Sequence, residues 1–166
     1  MPPPHPVPGT PLSIRITTLG RASVRVDGRE VEALPAQPLR FALLVFLAVE
    51  GDVPRDRLVA LLWPGRRGAR ARHSLNQALY QLRGALGPEV VLTRGDVVGA
   101  GPAVSVDIAG LEAGLADGEP EALARYTGPF LPDVPPPTAP FAAWADQLRA
   151  RLAALNAAAR RRQVDR

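Results

Sequence analysis

Between Ala69 and Leu86 the chain reads ARARHSLNQALYQLRGAL, a stretch whose polar residues are of the types that pair with phosphates and base edges. Leu75, Leu79, Leu82 and Leu86 recur at helical spacing, which predicts a helix with its leucines toward a core. Opposite the leucines, at about 100° per residue, stand Arg70, His73, Ser74, Gln77, Tyr80 and Gln81, flanked by Arg72, Asn76 and Arg83. No acid interrupts them. A helix that only faces water usually mixes its signs, because opposite charges three or four residues apart support it. Arginine forks fit phosphates or the N7 and O6 of guanine, and Gln fits adenine, so the face suits duplex DNA. On this reading Arg70, His73, Ser74, Gln77 and Gln81 are directed at bases, and Arg66, Arg67, Arg72, Arg83 and Arg94 at phosphates. The plain alternatives are a solvated helix that lacks acids and, for Arg83, an ion pair within the chain.

The elements around this helix give it a setting. The loop PGRRGARAR gathers Arg66, Arg67, Arg70 and Arg72 at the helix entry, where backbone N–H groups and the helix dipole favour anions. Before it, PRDRLVALLWPG predicts a short helix with Pro54 and Asp56 in first-turn positions and a stop at Trp63-Pro64-Gly65. After it, EVVLTRGDVVGAG predicts a hairpin with Arg94 at its tip. Further upstream, LSIRITTLG, ASVRVDG and REVEAL alternate like strands, with Asp27-Gly28 as a two-residue turn, and predict an antiparallel sheet. QPLRFALLVFLAVEG predicts a buried core helix ending near Gly51. Strands, three helices and a closing hairpin make an α+β winged helix-turn-helix over residues 12–106. Residues 1–11, dense in proline, read as a disordered lead-in. Residues 107–166 read as a small all-α segment whose last helix sets Phe141, Trp144, Leu148, Leu152 and Leu155 on a stripe in need of a partner.

Composition narrows the function classes. With no cysteine there is no disulfide framework, thiolate metal site or cysteine nucleophile. All 20 cationic Lys+Arg positions are arginine, and the net charge of +4 permits a polyanionic partner without requiring one. Neither GxxxxGK[ST] nor GxGxxG occurs, GAG from Gly99 is too short to mark a nucleotide site, and no nucleophile sits in an elbow, so neither enzyme nor cofactor is expected. His73 has no carboxylate near it in sequence and is not read as a metal ligand. Trp63 and Trp144 lie on leucine-rich faces and read as packing residues. The most apolar run, Phe41 to Val49, falls far short of the roughly 20 residues that span a bilayer, and the start has no signal-like apolar stretch, so a cytoplasmic protein without membrane contact is expected.

Taken together, LRFALLVFLAVEGDVPRDRLVALLWPG, ARARHSLNQALYQLRGALG and YTGPFLPDV with FAAWADQLRARL resemble the antibiotic-regulatory-protein (SARP) type of bacterial transcriptional activator. That family joins an OmpR-type winged helix to a bacterial transcriptional activation domain, a tetratricopeptide-like array of paired helices. The resemblance runs from about Leu12 to the C-terminus. It implies that the helix from Arg70 to Leu86 enters the major groove, that Arg94 belongs to the wing, and that the loop from Trp63 to Gly68 touches DNA or RNA polymerase. It also implies tandem copies on direct repeats of double-stranded DNA, with a monomer or weak dimer in solution. Two departures stand out: Asn76 occupies a position where the family often has a basic residue, and residues 107–166 cover only the first segments of its activation domain. A rival reading makes the chain a protein-interaction module whose helical tail docks a partner, with the basic helix merely solvated.

Overall fold

The computed structural model describes residues 12–166, so the proline-rich lead-in falls outside the described residues. β1 (Ile14–Thr17) and β2 (Ser23–Val26) pair antiparallel, Ile14 opposite Val26 and Arg15 opposite Arg25. Side chains alternate as a pleat requires: Ile14, Ile16 and Val24 are buried, whereas Arg15 and Arg25 are exposed on the other face. β2 passes through Asp27 (φ 50) and Gly28 (φ 82) into β3 (Arg29–Glu30), and two successive positive φ values are what a type I′ hairpin turn demands. β3 is shorter than REVEAL promised, because the chain turns away directly after Glu30.

α1 (Pro38–Glu50) buries every residue from Phe41 to Leu47 and stops at Gly51, whose φ of 81 ends the helix as only glycine does cheaply. β4 (Val53–Pro54) leads into α2 (Arg55–Leu62), and Trp63 closes it. α3 (Gly68–Leu86) follows, then β5 (Val91–Arg94) and β6 (Val97–Ala100), joined by a turn in which Gly95 takes φ 59. β7 (Val104–Val106), α4 (Leu111–Ala116), α5 (Pro120–Arg125) and α6 (Ala139–Val164) complete the chain.

Two sheets result, ordered β3-β2-β1-β7 and β4-β6-β5. The first departs from the antiparallel sheet expected, since β7 lies parallel to β1 with Ile14 opposite Val104. Its place is fixed by Asp107, whose carboxylate accepts the backbone N–H of Thr18 at 2.9 Å and of Leu19 at 3.0 Å, and the Thr18 hydroxyl as well. In the second sheet β4 pairs with β6 through Val53 and Val98, so the hairpin is tied to the start of α2.

One hydrophobic cluster extends from Ile14 to Ala159. The stripe on α6 is covered within the chain: Phe141, Leu148 and Leu152 are buried and Leu155 is partly buried. Trp144 packs edge-on to Phe46 at 4.9 Å and to Phe130 at 5.8 Å between ring centroids, and its indole donates to Glu50 at 2.7 Å. Arg149 donates to the carbonyls of Phe130 (2.8 Å) and Leu131 (3.1 Å), fixing the loop before α6 around Leu131, which holds a positive φ of 46. The helical tail therefore shares its core with the sheet and the first helices.

Candidate nucleic-acid interface

α3 carries most of the polar residues singled out by sequence, and its packing decides which of them reach solvent. The leucines are buried as expected, but so are Ala71, Ser74 and Ala78. These small residues extend the buried seam beyond the leucine stripe and turn the exposed face toward Asn76 and Tyr80. Arg72, His73, Asn76, Gln77 and Tyr80 are all exposed, and Tyr80 retains 77% of its surface. His73 and Tyr80 thus stand at the centre of the exposed face, with Asn76 and Gln77 on either side. Gln81 is half-buried at the margin.

Ser74 does not stand on the open face where sequence placed it. It is 8% exposed, its hydroxyl donates to the Arg70 carbonyl at 3.0 Å and accepts from Arg66. A short side chain at a close helix contact prefers this back-bond to the preceding turn. Its consequence is to hold Arg66 against the side of α3, where Arg66, Ala69, Arg70 and His73 line a shallow hollow of about 500 Å³. Arg83 also differs from expectation. It is half-buried and donates to the Val91 carbonyl at 3.3 Å, a bond to the backbone of the hairpin instead of an ion pair.

The side chains of Arg67, Arg70 and Arg94 are exposed and form no hydrogen bond or ion pair among the described residues. Arg94 stands at the last position of β5, opposite Val97, beside the hairpin turn. Arg72 comes within 3.9 Å of Asp56, but with both side chains largely exposed this pair is worth little. Sequence reasoning missed Arg55. Its side chain donates to Asn76 at 2.7 Å and its backbone N–H to the Asp96 carbonyl at 2.9 Å, so one residue ties α2, α3 and the hairpin turn together. The signal was present in Arg55 at the start of α2, but its partners lie far along the chain.

The glycines after the hairpin have a steric explanation. A Cβ at Gly101 would lie 1.8 Å from the Glu89 carbonyl oxygen, so the backbones approach too closely for any side chain. Among the described residues there is no cluster of His, Cys, Asp or Glu able to hold a metal, and no helix is long and apolar enough to cross a membrane.

No protein-family model matches the chain, and no curated protein does. Among solved structures it is similar to that of Mycobacterium tuberculosis EmbR in complex with a low affinity phosphopeptide, with a TM-score of 0.59 and 21% identity. The match covers 87% of this chain and 44% of that one, so the chain spans less than half the length of EmbR. At this level of identity the likeness is one of fold, a mixed α/β arrangement with a sheet and several helices shared with EmbR.

Proposed function

We propose that the chain is a sequence-specific DNA-binding transcription regulator, an activator of the antibiotic-regulatory-protein type. The carrying observation is the exposed face of α3: Arg70, Arg72, His73, Asn76, Gln77 and Tyr80, free of acids, beside a hairpin that presents Arg94. The likeness of fold to EmbR supports a regulator over an enzyme. In this reading α2, the turn and α3 form the helix-turn-helix, β5 and β6 the wing, and α3 enters the major groove. Arg70, His73, Gln77 and Gln81 read base edges, with Asn76 beside them. Arg66, Arg67, Arg72 and Arg94 contact phosphates. Ser74 acts by holding Arg66, and Arg83 by fixing the wing to α3. The loop from Trp63 to Gly68 and the helical tail contact RNA polymerase.

A single winged helix buries only about 600 to 1,000 Å² on DNA, which leaves modest specificity. Two protomers, monomeric or weakly dimeric in solution, therefore occupy direct repeats about one helical turn, 10 to 10.5 bp, apart. The rival reading of a docking tail loses its motive, because the stripe it needed is buried against this chain's own core.

The test is a mobility-shift titration of selected and random duplexes at two salt concentrations. Tight, salt-sensitive binding to selected duplex is expected, cooperative when two repeats lie one turn apart and independent when half a turn is inserted. Binding that is absent or indifferent to salt contradicts the proposal.

A further inference from the structure

The outer face of the first sheet carries a second cationic site that DNA binding by α3 does not use. Arg15 on β1 and Arg25 on β2 are directly opposite each other in the ladder. Cross-strand partners of like charge destabilise a sheet, so this arrangement costs stability unless an anion lies between them. The acid nearest in register, Glu30 opposite Arg25, is already engaged by Arg21 at 3.1 Å. Asp27 is turned to the Ser13 backbone N–H at 2.9 Å. Neither Arg15 nor Arg25 has an ion-pair partner among the described residues.

Arg15 and Arg25 line a groove of about 560 Å³ together with Ser13, Thr17, Arg21, Ser23 and Asp27, whose carboxylate the Ser13 N–H engages. The strand alternation sets this face away from the core: Ile14, Ile16 and Val24 point inward, and α1 packs against the sheet at β7 and in turn against α3. A duplex held by α3 is therefore not the natural occupant of the groove. Two unneutralised guanidiniums match a dianion better than a single carboxylate, and their planar forks with neighbouring hydroxyls suit the oxygens of a tetrahedral phosphate.

We propose that this groove binds a phosphate dianion, free or carried as a phosphomonoester on a small molecule. Binding neutralises the Arg15–Arg25 repulsion, so the ligand stabilises the folded protein. At tenfold excess over Kd the folded-to-unfolded ratio rises about elevenfold.

The experiment measures the melting temperature of the full chain at constant ionic strength as chloride is replaced by inorganic phosphate or, in a separate arm, by glycerol 3-phosphate. Backbone amide NMR shifts are followed in parallel. A saturable rise in melting temperature is expected, with the largest shifts at Ser13, Arg15, Thr17 and Arg25. Saturation by inorganic phosphate at the lower concentration identifies the free ion as ligand, and saturation by glycerol 3-phosphate a phosphomonoester. Arg15→Gln and Arg25→Gln should each abolish the rise while melting in chloride no lower than the unmodified protein, since each removes the repulsion. Arg70→Ala, on the other side of α1, should keep it. The proposal is overturned if no saturable rise occurs or if both glutamine variants retain it. It is equally overturned if the shifts fall on α3.

Discussion

The two longest helices, α3 and α6, both set leucines on one side and arginines around the rest, yet they use most of their arginines in opposite ways. On α6, Arg149 holds two loop carbonyls, Arg151 pairs with Glu112 at 2.9 Å, and Arg162 caps α4 through the carbonyls of Leu115 and Ala116 at 3.1 and 3.0 Å. Around α3, Arg67 and Arg70 hold nothing among the described residues, and Arg72 meets Asp56 only at 3.9 Å in open solvent. An arginine already bonded to backbone carbonyls belongs to the fold, and one left exposed beside others is available to a partner. Charge along the sequence does not separate the two cases; hydrogen-bond partners do.

Substitutions should divide along the same line. The largest loss of stability is expected from Leu152→Ala on α6, whose side chain is wholly buried. It should cost about 2 to 5 kcal/mol in denaturant unfolding while leaving DNA affinity per folded molecule unchanged. A cost below about 1 kcal/mol would detach the tail from the core. Arg149→Ala should come next, at about 1 to 3 kcal/mol, because the Phe130 and Leu131 carbonyls lose a charged donor. On α3 the pattern inverts. Gln77→Ala should leave stability within about 0.5 kcal/mol, and competition between preferred and mismatched duplexes should show about 1 to 3 kcal/mol of lost discrimination. Arg72→Ala, which removes a proposed phosphate contact, should lower the salt slope of log affinity by about one. Full retention of discrimination in Gln77→Ala together with an unchanged salt slope in Arg72→Ala would remove the contrast between the helices.

The sequence made the long elements legible because their patterns are local. The leucines of α3, the near-continuous apolar run of α1 and the Asp27-Gly28 turn each announce themselves within a few residues. What escaped depends on distant partners. β7 has three residues and joins its sheet because Asp107 clamps Thr18 and Leu19, nearly ninety positions away. β4 has two residues, one of them a proline, and is a strand only through Val97 and Val98 of β6. On α3 the leucines placed the seam correctly but incompletely, since alanine carries little weight in a hydrophobic pattern yet is buried at 71 and 78 where elements approach closely. That omission set Ser74 among the base-facing residues and left Asn76 at the edge. The stripe on α6 was read accurately as a packing face, and the partner it called for proved to be the rest of the same chain.

The central claim, that α3 and the β5–β6 turn are the surface that meets DNA and α6 is not, is tested most directly by mapping backbone amide shifts as a selected duplex is added to the full chain. The account predicts that the largest changes fall between Arg70 and Gln81 and around Arg94, Gly95 and Asp96, with α6 from Ala139 to Val164 little moved. Changes centred on α6, or spread evenly over every exposed arginine, would contradict it.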